Sequence, residues 1–197
     1  NTACYIEFAS GSFEVDEKMG NNPDEIARIK DNLISLMQNE KFDLDSIVVT
    51  SSASPEGTVR FNERLSQKRS EGISEHFSRW MNHYQDSLER ERGFAVDEEG
   101  NIIIQKRTQI PMLGRSSGEN WRMLDHLVEK DTLMTEDEKK GYISSADIKD
   151  IDQRERFLQS LGCYRHMREK LYPRLRTVRF DFHLHRKGMV KDTVHTT

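Results

Sequence analysis

Hydrophobic and polar positions change period along the chain, and the changes mark its elements. In "ACYIEFAS" (3–10), Cys4, Ile6 and Phe8 alternate with Tyr5 and Glu7, the period of two expected of a strand with one buried face. "NNPDEIARIKDNLISLMQ" (21–38) spaces Ile26, Ile29, Leu33, Leu36 and Met37 at helical intervals. Asn22 reads as the cap of that helix, Pro23 as its first residue, and Glu25 falls three positions after the cap. "DSIVVTSS" (45–52) holds an unbroken apolar run from Ile47 to Val49, expected of a central strand covered on both faces. From Arg60 to Tyr84 a long helix is predicted, with Phe61, Leu65, Ile73, Phe77, Trp80 and Tyr84 on its apolar stripe.

After the turn signal "DEEGN", the run "NIIIQKR" (101–107) predicts a third strand. "TVRFDFHLHR" (177–186) predicts the last, with Val178, Phe180, Phe182 and Leu184 on one face and Arg179, Asp181, His183 and His185 on the other. Between them "GENWRMLDHLVEK", "DIDQRERFLQSL" and "YRHMREKLYP" lack strand alternation and read as helices. The order of elements predicts an α/β sandwich, in the α+β sense of helices packed on a mixed sheet. One domain spans residues 1–197, with a helical or irregular insertion over 89–171 and a polar tail or linker over 187–197.

Composition narrows what such a fold can do. With 197 residues, 35% apolar and 32% charged, the chain supports one modest core under a large solvated surface. Thirty basic residues against thirty-four acidic ones give a net charge of -4, so the field that drives nucleic-acid binding is missing and no nucleic-acid partner is expected. No apolar run reaches the ~20 residues of a membrane span, so no membrane insertion by this segment is expected. The polar end and strand-like start read as cuts from a longer precursor that carried any signal or anchor. Cys4 and Cys163 are too sparse for a disulfide framework or a zinc site; buried free thiols are expected, with a single bridge between them left open.

Two polar residues break the apolar stripe of the long helix. Projected at 100° per residue, Asn62 falls near its middle and Arg69 between Leu65 and Ile73, ~10 Å apart along the axis. A buried guanidinium without a partner costs several kcal/mol, about what a lost ion-pair partner costs. The adjoining loop, Ser51 to Gly57, follows a strand end, where open α/β sheets bind ligands. Asn62 is therefore expected to tie down the loop. Arg69 either pairs with an internal carboxylate or forks onto a ligand carboxylate.

The string "ASPEGTVRFNERLSQKRSEGI" resembles the signature of the OmpA-like, peptidoglycan-binding family at Gly57, Phe61, Asn62, Leu65, Ser66, Arg69 and Ser70. "YIEFASGSFEVD" and "LRTVRFDFHLH" are similar to that family's first and last strands, and "SPEG", "GENW" and "YPRLR" resemble envelope proteins of Bacteroidetes-type bacteria. The resemblance covers residues 3 to 85 and 172 to 186. It implies a β-α-β-α-β-β core, a periplasmic or outer-membrane-associated location, peptidoglycan as partner, and a loop Asp that joins the helix Arg in gripping the zwitterionic end of diaminopimelate. Here Ser54 stands at the Asp position and Ala9 where the first-strand turn often carries Asp or Asn. The implied ligand-binding set is Arg69, Asn62, Ser54, Ala9 and Gly57. The alternative is a scaffold for other envelope proteins, docking through the insertion.

Other chemistry is sparser. "GRSSG" matches the spacing of a nucleophile elbow at Ser116, but Pro111 interrupts the preceding strand and no run of parallel strands supports a hydrolase sheet; a Ser cap on the "ENWRML" helix is expected instead. His183 and His185 with Asp181 could chelate a metal, yet two histidines on a strand face are ordinarily solvated. Trp121 and Tyr172 are expected to pack the insertion onto the sheet. The chain is read as non-catalytic, with no cofactor and no metal.

Overall fold

The elements along the chain are β1 (Thr2–Cys4), α1 (Asn22–Met37), β2 (Phe42–Ala53), α2 (Val59–Arg92), β3 (Met112–Glu119), α3 (Trp121–Lys130), α4 (Glu136–Ser144), α5 (Ile151–Gln159), α6 (Tyr164–His166) and β4 (Val178–Arg186). The computed structural model describes residues 2–9, 11–93, 100 and 109–188. β2 lies between β4, antiparallel to it, and β3, parallel to it; β1 pairs antiparallel with β4, giving the order β1-β4-β2-β3. The predicted α/β sandwich, helices on a mixed sheet, is the architecture found. Among the described residues no helix is long and apolar enough to cross a membrane.

β1 is shorter than its pattern, because only Thr2–Cys4 pair with β4. The alternation continues without ladder bonds: Cys4, Ile6 and Phe8 are buried while Tyr5, Glu7 and Ala9 are exposed. α1 begins after Asn21, and Asn22 is not its cap. The Asn22 amide is buried and serves the loop instead, accepting from Glu7 N at 2.7 Å and donating to Glu7 O and Asp16 O. A buried amide that can satisfy three backbone groups gains more there than at a solvated helix end. Glu25 likewise accepts from Tyr5 N rather than from the cap.

Ile26, Ile29 and Leu33 of α1 and Ile73, Phe77 and Met81 of α2 cover Ile47, Val49, Val178 and Phe180 on one face of the sheet. The two long helices therefore cover one face of β2, and Val48, on the other, keeps 8% of its surface. Phe61, placed on the stripe by its spacing, is 53% exposed because it lies in the first turn of α2, at the end of the contact. Phe182 is half-buried and Leu184 exposed, so the burial of β4 fades along its length.

The predicted strand over 101–107 lies outside the described residues. The strand parallel to β2 is β3, inside the range read as insertion, and its Gly- and Ser-rich sequence has no apolar alternation. Its place is enforced by close approach. A Cβ on Gly114 would stand 2.7 Å from Glu71 N, so α2 lies directly on the β3 backbone. Gln67 of α2 donates to Gly114 O at 3.0 Å and accepts from Ser116 N at 2.8 Å, satisfying part of this strand at the sheet edge.

From α3 to the start of β4 the chain builds a second core of Leu124, Leu127, Val128, Tyr142, Leu158, Met167, Leu171, Tyr172 and Leu175. α6 continues into a π-helical turn (Met167–Leu171) and a 3₁₀ turn (Tyr172–Leu175) that deliver the chain to β4. Cys4 and Cys163 are buried free thiols, one in each core. Of the predicted tail, residues 189–197 lie outside the described residues.

Candidate ligand-binding site

β2 ends at Ala53 and Thr58 caps α2 by accepting from Phe61 N; the turn between them needs a left-handed residue, which Gly57 supplies at φ +95°. This turn is cross-linked by Arg168, near the end of the insertion, and by Arg176, just before β4. Glu56 Oε2 accepts from Arg176 Nη2 at 2.6 Å and from Ser54 Oγ at 3.1 Å, and Glu56 Oε1 accepts from Arg168 Nε at 2.9 Å. Arg176 Nε also approaches Ser54 Oγ at 3.4 Å. Ser54 is buried, Arg176 partly so, and Arg168 largely exposed.

Arg69 reaches the same region from α2. It keeps 2% of its surface, its Nε donates to Ser12 O at 2.9 Å, and its guanidinium lies 4.8 Å from the centre of the Phe8 ring. No acid forms an ion pair with it among the described residues. Its terminal nitrogens carry no hydrogen bond there, and they are not fully sealed from solvent. Burial pushes the Arg69 pKa down to about 10; Arg176 adds to that and Glu56 opposes it. Arg69 stays cationic at neutral pH, as a half-satisfied planar fork. Ala9 contributes backbone: its carbonyl accepts from Ser12 N at 3.0 Å, closing the turn that aims Ser12 O at Arg69.

Asn62 is buried as its spacing implies, but its partner is different from the one expected. Its Nδ2 donates to Glu119 Oε1 at 2.7 Å, at the end of β3, and Trp121 Nε1 donates to Glu119 Oε2 at 2.8 Å. Burial raises the Glu119 pKa while these two donors oppose the rise. Asn62 Oδ1 faces the loop, close enough that a Cβ on Gly57 would lie 3.9 Å away. Asn62 thus joins α2 to the β3–α3 junction and touches the loop only by packing. Of the five expected residues, Ser54 contacts the Arg176–Glu56 pair, the Ala9 turn meets Arg69 through Ser12 O, Gly57 shapes the loop, and Asn62 stands aside.

Ser116 lies inside β3, not at a strand-to-helix turn. Its hydroxyl is shared with Ser66 and accepts from Gly118 N, and α3 is capped by Asn120, which accepts from Met123 N. The strand extends to Glu119 because β2 pairs with it that far. His185 binds Asp45 at 2.7 Å and Asp43 at 3.5 Å on the neighbouring strand, while His183 is exposed. Tyr172 packs within the insertion core, and Trp121 packs on that core while its indole N–H holds Glu119.

Sequence reasoning missed Glu56, Arg168, Arg176, Ser12 and Phe8 as parts of the site. Glu56 and Arg176 fall within strings quoted for the resemblance, "SPEG" and "YPRLR", and only the fold brings them together. Arg168 sits on a helical stretch crowded with other charges, where no pattern singles it out. No protein-family model and no curated protein matches the chain.

Proposed function

We propose that this chain is a non-catalytic recognition module of the bacterial envelope, OmpA-like in type, that binds the carboxylate of a diaminopimelate-containing peptidoglycan stem peptide through Arg69. The observation that carries the reading is the state of Arg69: buried against Phe8, held by one backbone carbonyl, and, among the described residues, without an acid on its terminal nitrogens. A guanidinium kept in that state costs stability, and binding an anion recovers it. The sequence resemblance supports the stem peptide as the source of that anion and the periplasmic side of the envelope as the location.

The test is retention on isolated sacculi. The wild type should sediment with them, and Arg69→Ala should lose at least about tenfold in affinity, the usual scale for removing one partner of a desolvated charge pair. Equal retention of the two proteins removes Arg69 from the site. A second reading, a scaffold for other envelope proteins docking through the insertion, draws on Leu133 and Ile143, which are 76% and 66% exposed there. It predicts no binding to sacculi and a protein partner lost on Ile143→Asp.

A further inference from the structure

Helices α3, α4 and α5 and the turn after α4 line a pocket of about 460 Å³, away from the residues around Arg69. Val128 and Tyr142 form its apolar floor, and Ile143 and Ala146, both exposed, its mouth. Arg154 lines it too, keeping 8% of its surface. The rings of Trp121 and Tyr142 lie 4.1 and 5.5 Å from the guanidinium, and Nε donates to Ser145 Oγ at 3.1 Å. Asp125 stands beside it: its Oδ1 is 3.5 Å from Arg154 Nη2 but already accepts from the Tyr142 hydroxyl at 2.6 Å. Among the described residues Arg154 Nη1 has no acceptor and is not fully sealed from solvent, and Asp125 Oδ2, on a side chain 57% exposed, has no donor.

The other charges of the lining are Glu129, Glu136, Lys139 and Lys140, so acids and bases balance. Lys139 Nζ donates to Glu129 O, and just outside the lining Asp137 holds Lys140 at 3.4 Å and His126 stands 4.0 Å from Glu129. A ligand with a net charge loses hydration in such a pocket and gains no net attraction. A ligand with opposite charges on one carbon can lie head to tail against Arg154 and Asp125, each charge meeting its opposite, and the rings that cover Arg154 keep water from screening that contact. A mostly apolar cavity of this volume with a few converging polar groups is the common form of a small-ligand site. We propose that the pocket binds a free α-amino acid with an aliphatic side chain: its carboxylate on Arg154 Nη1, its ammonium on Asp125 Oδ2, and its side chain against Val128, Ile143 and Ala146.

Calorimetric titration of the whole chain with L-leucine, L-leucinamide and N-acetyl-L-leucine tests it. Leucine should bind, and the two derivatives, each lacking one of its charges, should bind at least about tenfold more weakly. Asp125→Asn keeps an acceptor for the Tyr142 hydroxyl and removes the charge; it should weaken leucine at least about fivefold and leave N-acetyl-leucine unchanged. Ala146→Phe, at the exposed mouth, should abolish leucine binding by filling the pocket while the circular dichroism spectrum stays that of the wild type. Failure of the wild type to bind leucine overturns the proposal. So does binding that survives both variants, which places the amino acid elsewhere, and so does equal binding of N-acetyl-leucine, which takes the ammonium out of the recognition. None of these outcomes bears on Arg69, which retention on sacculi tests separately.

Discussion

The sheet core and the insertion core are held together in different ways. In the first, Phe77 and Phe180 meet edge to face, with centroids 5.4 Å apart, among Ile, Leu and Val side chains, and β2 ties the layers through its ladders with β3 and β4. The second core, from α3 to the turns before β4, is built from helices alone, and they are short, nine or ten residues for α3, α4 and α5, below the length at which helices hold on their own. It buries two charged residues instead. Arg154 lies 4.1 Å from the Trp121 ring and 5.5 Å from Tyr142, donating to Ser145 Oγ and approaching Asp125 at 3.5 Å. Its neighbour Glu155 takes the hydroxyls of Tyr164 and Tyr172 at 2.9 and 2.8 Å. Apolar burial with a continuous ladder suffices for one core. The other uses directional contacts to choose a single arrangement of short helices, and that arrangement sets Arg168 and Arg176 beside the loop.

The largest expected effect is on the first core. Phe180→Ala should cost about 3–5 kcal/mol, as for a buried aromatic, and lower the stability of the whole chain in denaturant unfolding. Leu158→Ala in the insertion should cost about 2–4 kcal/mol, with the loss of amide protection confined to α3 through the 3₁₀ turn before β4. Protection lost equally over both regions after Leu158→Ala would merge the two cores into one cooperative unit.

The two regions also differ in how far their sequence reveals them. α1, α2, β2 and β4 are legible because a long helix or a central strand buries one face or a continuous run, which fixes a period in the residues. β3 is not, because what places "MLGRSSGE" is the absence of a Cβ at Gly114 and the side chain of Gln67 on another element. In the site, Arg69 and Asn62 stand out as polar breaks in an apolar stripe. Their partners cannot be read in the same way: the Ser12 carbonyl is backbone, Glu119 ends a strand without a pattern, and Arg176 lies 120 residues from Glu56. Long-range polar pairs leave no period behind. For the same reason the buried Glu155 reads as one more surface charge in "DQRERF".

That carboxylate makes the comparison sensitive to pH. Burial raises the Glu155 pKa from an ordinary value near 4.5 to about 7, against the tyrosine hydroxyls that favour its charged form, and with help from the negative charge of Glu119. Between those values the folded chain keeps a proton that the unfolded chain releases, so the contribution of Glu155 to stability falls as pH rises from 4.5 to 7 and is level above. Relative to wild type, Glu155→Gln should therefore gain on the order of 2 kcal/mol between pH 5 and pH 8. Denaturant melts of both proteins at the two pH values measure it. A constant difference would mean that Glu155 titrates alike in the folded and unfolded chain.

The smallest effect tests whether the insertion steadies the site at all. Asp152, in the first turn of α5, accepts from Val59 N at 2.9 Å, so a carboxylate of the insertion sits on the first amide of α2. There it satisfies one of the amide groups left open at a helix start and complements the positive end of the helix dipole. Asp152→Ala should cost about 0.5–1 kcal/mol, and Asp152→Asn, which keeps an acceptor without the charge, about half of that. The decisive readout is local: amide exchange at Val59 and in the loop from Ser54 to Gly57 should quicken in Asp152→Ala. Arg176→Ala, which releases Glu56 in the same loop, should quicken it too. Both contacts restrain one short segment, so the double variant should lose less than the sum of the single losses. Strict additivity would make the two contacts independent, and the loop's order would then come from β2 and α2 alone.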